Sequence, residues 1–296
     1  MKYDNGADFI FEQDKSLYWL NFLILWSLTI WVAFKKFLLG NRIKTNTFWF
    51  DGVSRLAREV KENAFSWRAL DIIYNLDPPL GNNLEDKMTR YWNKLLNVQA
   101  VRNRLRLIKK IMISQIRKFH KNGFNSIRVL SIASGSAQGV IEAIRILKEE
   151  GIMVEVMLLD IDQSALEHAK LLAKKANVLE RCQFVNKSTT DLELVTNNFK
   201  PHFVELVGFL EYRPFEKAVR LLSRIRNILE PGGVLAVSQI MPNPERFFLT
   251  VVVNWPMIYR SKKEFIDLIT KAGFKEENFQ IIQEPLGIHS LAICSK

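Results

Sequence analysis

The chain has 296 residues, of which 48% are hydrophobic and 25% are charged, and its formal net charge is +11. This balance excludes an intrinsically disordered chain, and the length allows a folded core and about two domains. The excess of positive charge favours an anionic partner, such as a membrane surface, a nucleic acid or an acidic substrate.

Residues 17–34 carry no charged side chain, and Lys35 and Lys36 follow them. As a helix, this run would be roughly 27 Å long, close to the hydrocarbon thickness of a bilayer. The residues before it are acidic, whereas a cleaved signal peptide begins with basic residues. By the positive-inside rule, the cations that follow, including Arg42 and Lys44, place the rest of the chain in the cytoplasm. The sequence therefore predicts a single-pass membrane protein with residues 17–34 in the lipid bilayer; a buried or interfacial helix is the alternative.

Helical spacing continues over residues 47–122 and is broken at residues 75–83 by Pro78, Pro79 and Gly81. Beyond the break we expect one long helix or two consecutive helices. Residues 102–121 include many Lys and Arg but no acid, so one face is predicted to be basic. That face could be simply solvated or could bind an anionic membrane surface. Nucleic acid is the least favoured partner, because no nucleic-acid-binding motif accompanies the charge.

Strands and helices alternate from residue 126 onward, which predicts an α/β fold with a parallel sheet covered by helices on both faces. The domains expected are an N-terminal tail and transmembrane anchor (1–40), a basic helical extension (41–123) and an α/β domain (124–296). The predicted strands are 127–132, 153–159, 183–185, 202–207 and 234–239, and two further strand-like runs close the chain.

Ligands bind at the carboxyl ends of the strands in such sheets. The loop after the first strand holds the small residues Ala133, Ser134 and Gly135, which let a ligand approach the backbone closely. Asp160 ends the second strand, where a carboxylate can accept two hydrogen bonds from a ribose diol. Cys182 and Cys294 lie in unrelated contexts without metal-ligand spacing, so we expect no metal site and no disulfide framework.

Four stretches carry a family resemblance: V-L-S-I-A-S-G-S-A from Val129, L-L-D-I-D from Leu158, V-E-L-V-G-F-L-E-Y from Val204 and L-E-P-G-G-V-L-A-V-S from Leu229. Together they resemble class I S-adenosylmethionine-dependent methyltransferases, of the bacterial kind with a helical N-terminal extension. The resemblance implies a Rossmann-like, mostly parallel sheet of seven strands, S-adenosylmethionine as cofactor and methyl transfer as the reaction. The cofactor-binding residues it implies are Ala133, Ser134 and Gly135 at the methionine part, Asp160 at the ribose, Ile161 and Ser188 at the adenine, and Phe209 and Leu210 beside the transferring methyl.

The first of these stretches departs from the family pattern. Ser131 stands where the family usually has an acid, and Ala133 and Ala137 replace glycines. An alanine costs nothing at a position where φ is negative, so these two changes are compatible with the fold if the turn keeps ordinary dihedral angles. We also expect a weaker grip on the ammonium group of the cofactor, which an acid restored at position 131 would tighten.

Methyl transfer requires alignment of the acceptor and, for a weakly ionised acceptor, a general base. The candidate catalytic residues are Glu211, Tyr212 and His289. The apolar segment 241–260 is expected either to pack on the N-terminal helices or to form one wall of an acceptor pocket, in which Tyr259 and Arg260 would bind the substrate. The sequence thus predicts a membrane-anchored methyltransferase acting on a hydrophobic or amphiphilic small molecule or lipid. The alternatives are a non-catalytic cofactor-binding or scaffolding protein at the membrane and an RNA or protein methyltransferase.

Overall fold

A computed structural model describes residues 10–16, 18–40 and 47–296. The strands among these residues are β1 (Ile127–Ile132), β2 (Val154–Asp160), β3 (Cys182–Asn186), β4 (Phe203–Leu206), β5 (Val234–Ile240), β6 (Phe279–Gln283) and β7 (His289–Ser295). They form one seven-stranded sheet in the order β3-β2-β1-β4-β5-β7-β6. Strands β1 to β5 are parallel, and β7 pairs antiparallel with both β5 and β6. The predicted fold class is confirmed.

The α-helices of the described residues are α1 (Tyr18–Leu39), α2 (Arg55–Glu62), α3 (Trp67–Tyr74), α4 (Leu84–Asn93), α5 (Leu96–Lys121), α6 (Gln138–Glu149), α7 (Gln163–Lys175), α8 (Leu192–Thr196), α9 (Phe215–Ile228), α10 (Arg246–Val251) and α11 (Lys262–Lys271). The predicted break falls between α3 and α4, and the chain beyond it forms two consecutive helices, α4 and α5.

Two apolar layers cover the sheet. Side chains of α5, α6 and α7 pack on one face, with Met112, Ile116 and Ile144 fully buried there. Side chains of α8, α9 and α11 pack on the other face. Because α5 covers the sheet directly, the helical extension completes the core that holds the loops at the strand ends in place.

The basic face predicted for α5 is mostly engaged with acids. Arg102 and Arg106 both bind Glu12, at 2.5 Å and 2.7 Å, and Lys109 binds Glu142 at 2.8 Å. Arg104 and Arg117 are also in ion pairs, and Arg102, Arg104 and Lys109 are buried. The expectation of a solvated cationic face is therefore wrong for most of the helix, because acids distant in the sequence fold against it. Lys110, Lys118 and Lys121 are exposed.

Helix α1 is the one described helix that is long and apolar enough to cross a membrane, over Trp19–Leu39. One side of it packs on α10, burying Leu25 and Val32. Its outer side exposes large apolar side chains: Trp19, Leu20, Phe22, Leu23, Trp26, Ile30, Trp31, Phe34, Phe37, Leu38 and Leu39.

Both ends of α1 are held by the same folded body. Before the helix, Glu12 is paired with Arg102 of α5, and near its end Lys36 Nζ donates to Val251 O and Asn254 Oδ1, both at 2.6 Å. A helix that crosses a bilayer carries its two ends to opposite sides, whereas both ends of α1 contact the same folded body in this conformation. The single-pass span stays a prediction. Positions 1–9, 17 and 41–46, which the topology prediction also used, lie outside the described residues.

Candidate active site

A cavity of about 810 Å³ opens at the carboxyl ends of β1, β2, β3 and β4. It is lined by seven of the eight residues predicted to bind the cofactor: Ala133, Ser134, Gly135, Asp160, Ile161, Ser188 and Phe209. Leu210 is fully buried in the core instead and does not line the cavity. The rule that places ligands at strand ends therefore located this cavity correctly.

The loop after β1 has an unusual backbone. Ala133, Gly135 and Ala137 all have positive φ angles, of 52°, 54° and 52°. The condition of ordinary dihedral angles is therefore not met at the two alanines, and each carries the strain of a left-handed conformation. These backbone angles produce a tight turn around Ser134, whose backbone oxygen accepts a 2.8 Å hydrogen bond from Ala137 N. Within the described residues, the buried Ser134 Oγ has no hydrogen-bond partner, which is uncommon for a buried polar atom.

Asp160 ties this loop to the end of β2. Its Oδ2 accepts a hydrogen bond from Gly135 N and its Oδ1 one from Asp162 N, each at 2.8 Å. Each carboxylate oxygen has a second lone pair, so the side chain is oriented by the backbone and can still accept hydrogen bonds from a ligand. Ser188 Oγ accepts a hydrogen bond from Thr190 N at 3.2 Å, and Ile161 exposes 75% of its surface at the rim.

A carboxylate that the sequence analysis missed lies beside Ser131. Glu205 is the partner of Ser131 in the parallel pairing of β1 with β4, and Ser131 Oγ donates a 2.5 Å hydrogen bond to Glu205 Oε2. Glu205 is buried yet lines the cavity. Burial raises its pKa to about 7, against the opposing effects of the Ser131 hydrogen bond and the Arg104 charge. The signal that could have found it is a lone acid inside the apolar run F-V-E-L-V.

A second missed residue is Arg104 of α5, which pairs at 3.2 Å with Glu211, one of the residues that line the cavity. Both side chains are buried, and Arg104 also donates to Tyr74 Oη at 3.3 Å. Burial raises the pKa of Glu211, and the Arg104 charge limits the rise. Glu211 is one of the lining residues of the cavity, and among the described residues its buried Oε2 has no hydrogen-bond partner.

A family model described as "Putative methyltransferase" matches residues 33–296. The chain belongs to this methyltransferase family. The enzyme class predicted from the sequence is thereby confirmed. A search of curated proteins gave no match.

Solved structures show the same fold for this methyltransferase. A possible exported protein from Bordetella parapertussis is 15% identical, with a TM-score of 0.64 over 93% of this chain and 96% of that one. An O-methyltransferase family protein from Burkholderia thailandensis is also 15% identical, with a TM-score of 0.51 over 93% of this chain and 71% of that one. Magnesium protoporphyrin IX methyltransferase from Synechocystis, crystallised with S-adenosylmethionine, is 11% identical, with a TM-score of 0.50 over 68% and 84% of the two chains.

The N-terminal extension of the methyltransferase supplies an aromatic wall to the cavity. Phe65 and Trp67 face it from the extension, and Trp255 and Met257 face it from the 241–260 segment. Tyr212, a predicted catalytic residue, also lines the cavity, and its Oη accepts a 2.7 Å hydrogen bond from Trp255 Nε1. Burial raises the pKa of Tyr212, which keeps the phenol neutral. In the 241–260 segment, Phe248 and Leu249 pack among the N-terminal helices, while other residues of the segment line the cavity. Its role as a wall of an acceptor pocket stays a prediction.

Three other predicted site residues do not line this cavity. Arg260 is buried, and its guanidinium donates to Leu210 O, Gln239 Oε1 and Arg213 O, so it braces the fold and is not available to an anionic substrate. Tyr259 packs in a small apolar cluster with its hydroxyl buried. His289 is 1% exposed, and burial together with the Arg104 charge lowers its pKa well below 6.5. It lines a smaller cavity of about 50 Å³, and Glu211 is among the residues that line both this cavity and the larger one.

Proposed function

We propose that this methyltransferase uses S-adenosylmethionine to methylate a hydrophobic or amphiphilic small molecule or lipid. The observation that carries the proposal is the single cavity in which a small-residue loop at the strand ends faces an aromatic wall. Such a cavity can hold a nucleotide cofactor on one side and an apolar acceptor on the other.

The residues of the cofactor side fit S-adenosylmethionine. Ala133 and Gly135 bring bare backbone to the cavity, Ser134 Oγ offers an unpaired polar atom, and Asp160 offers carboxylate oxygens to a ribose. When bound, the cofactor supplies a methyl group on a sulfonium that is open to direct displacement. The protein then has to align the acceptor, exclude water and take up a proton.

The acceptor side supports an apolar substrate and one base. Phe65, Leu70, Trp255 and Met257 offer hydrophobic surface. Glu211 is the base of this proposal, because it lines the same cavity, its Oε2 has no hydrogen-bond partner in the described part of the chain, and burial raises its pKa. Arg104 holds its other oxygen in place.

Attachment to a membrane is the second part of the proposal. The outer side of α1 exposes large apolar residues along its length while the inner side stays on the domain, which suits a helix lying in the bilayer interface. Lys110, Lys118 and Lys121, which are exposed on the C-terminal half of α5, could add attraction to anionic lipid headgroups. The cytoplasmic side is proposed from the cations that follow the apolar run.

Calorimetry and product analysis test the proposal on the full-length protein in detergent. We expect heat on titration with S-adenosylmethionine, and transfer of a radiolabelled methyl group to the organic phase of a membrane extract. Absence of binding would support the alternative of a scaffolding protein. Label recovered in RNA or protein instead would overturn the proposed acceptor class.

The base is tested by Glu211→Gln, which keeps the size of the side chain and removes its charge. We expect kcat to fall by about 10²–10⁴-fold, the usual contribution of a general base, with cofactor affinity close to that of the parent. Glu216→Gln, at an exposed position outside the cavity, serves as the matched control. An equal kcat for the Glu211 variant and the parent would remove Glu211 from the chemistry.

A further inference from the structure

Position 131 lacks the acid of the family pattern, but the structure places a carboxylate next to it. Ser131 and Glu205 are neighbours across the β1–β4 ladder, so their side chains project from the same face of the sheet. The 2.5 Å hydrogen bond from Ser131 Oγ fixes Glu205 Oε2. The serine therefore orients an acid that stands on the adjacent strand.

Glu205 has no ion-pair partner of its own among the described residues. Arg104 is the cation whose charge acts on the pKa of Glu205, and its guanidinium is already paired with Glu211. Within the part of the chain that the structure describes, Ser131 is the one hydrogen-bond donor to the Glu205 side chain, and its bond engages Oε2. A carboxylate that is buried without a cation destabilises a fold. Since Glu205 also lines the cavity, its position is better explained by a positively charged ligand than by folding.

We propose that Glu205 binds the ammonium group of the methionine part of S-adenosylmethionine and replaces the acid that position 131 lacks. This inference rests on the proposed function, since it needs the cofactor to occupy the cavity. Oε1 accepts the ligand's N–H, Oε2 stays on Ser131, and the backbone of the small-residue loop faces the rest of the methionine part. The negative charge that the family pattern places on β1 is thus carried by the neighbouring strand β4 in this protein.

Three ligands separate this role from a general effect on the site. S-adenosylhomocysteine carries the ammonium but no sulfonium charge, S-adenosylmethionine carries both, and 5′-methylthioadenosine lacks the amino-acid part. Glu205→Gln should weaken binding of the first two by about tenfold or more, which corresponds to the loss of one charge-assisted hydrogen bond. Its affinity for 5′-methylthioadenosine should equal that of the parent.

An exchange variant provides the rescue. Ser131→Asp with Glu205→Ser moves the carboxylate back to β1 and the hydroxyl to β4, and it should restore most of the lost affinity for S-adenosylhomocysteine. Ser131→Asp alone sets two carboxylates against each other, so it should lower the melting temperature and fail to tighten binding. This reverses the expectation drawn from the sequence.

Calorimetry on the full chain, with the melting temperature of each variant as a folding check, decides the inference. Equal affinities of parent and Glu205→Gln for S-adenosylhomocysteine would overturn it. So would an equal loss for 5′-methylthioadenosine, or a loss confined to S-adenosylmethionine, which would point to the sulfonium. If the parent binds none of the three ligands, the proposed function itself fails.

Discussion

In the loop after β1, Ala133 and Ala137 have a backbone conformation that glycine adopts without strain but alanine does not. Both have a φ of 52°, which costs an L-residue with a Cβ roughly 1 kcal/mol or more. Glu205 is a second local compromise, because a buried acid is kept where an apolar residue would stabilise the strand. Strain and buried charge at one cavity are typical of functional sites.

The first residue-scale prediction concerns the strained alanines. Ala133→Gly should stabilise the protein by up to roughly 1 kcal/mol, because glycine adopts positive φ without a steric penalty. Ala137→Gly should gain less, because it also loses a methyl group that is buried in the core. Ala143→Gly, inside α6, is the control and should destabilise by a similar amount, since glycine is a poor helix former. Thermal unfolding measures all three. Melting temperatures that fall for both loop variants would show that the alanines are not strained.

A second prediction follows from the pKa of Glu205, which burial raises from the ordinary 4.5 to about 7 in the folded protein. A carboxyl with a raised folded pKa binds protons more tightly in the folded state, so it costs stability as pH rises from about 4.5 to about 7. Without cofactor, Glu205→Gln should therefore gain melting temperature relative to the parent between pH 5 and pH 8. The exposed control Glu216→Gln should show no such gain. A constant difference between Glu205→Gln and the parent at all pH values would contradict the shift.

At the scale of elements, the strands were predictable because each is a short apolar run bounded by turn residues. The loop residues and Asp160 could be placed because strand ends define the ligand edge. Glu205 could not, since an acid within a strand reveals its neighbour only when the strand order is known. The cations of α5 were misjudged for a related reason: Glu12, which neutralises Arg102, lies 90 residues away in the sequence.

The element-scale prediction tests that pairing. Arg102 is buried and donates to Glu12 and to both Asn93 Oδ1 and Asn93 O. Arg102→Gln should destabilise by roughly 1–3 kcal/mol, because these acceptors lose a charged donor. Lys110→Gln, at an exposed position of the same helix, should change stability by less than about 0.5 kcal/mol. Denaturant unfolding compares the free energies of unfolding of the two variants. Equal values would mean that the Arg102 contacts contribute no stability, as expected for a cation on a solvated face.

For the whole molecule, the apolar run of α1 was read correctly as a helix, but its relation to the domain was not visible in the sequence. Length and hydropathy describe a helix in isolation. The contacts of Glu12 and Lys36, at opposite ends of the run, decide how the helix is held. They place the exposed apolar side of α1 on the same body as the cavity. If α1 lies in a membrane interface, as proposed, an amphiphilic acceptor would enter the cavity from that membrane surface.

The last prediction is the topology that this arrangement requires. If α1 lies in the membrane interface, positions 5 and 44, which flank it, are on one side of the bilayer. In a background with Cys182→Ala and Cys294→Ala, cysteines placed at Asn5 and Lys44 should both resist an impermeant thiol reagent in intact cells. Both should react after permeabilisation.

Labelling of position 5 alone in intact cells would support the single-pass span, and would mean that Glu12 leaves Arg102 in the membrane. Labelling of both in intact cells would place the domain outside the cytoplasm. Recovery of the unmodified protein from the soluble fraction would refute membrane attachment altogether.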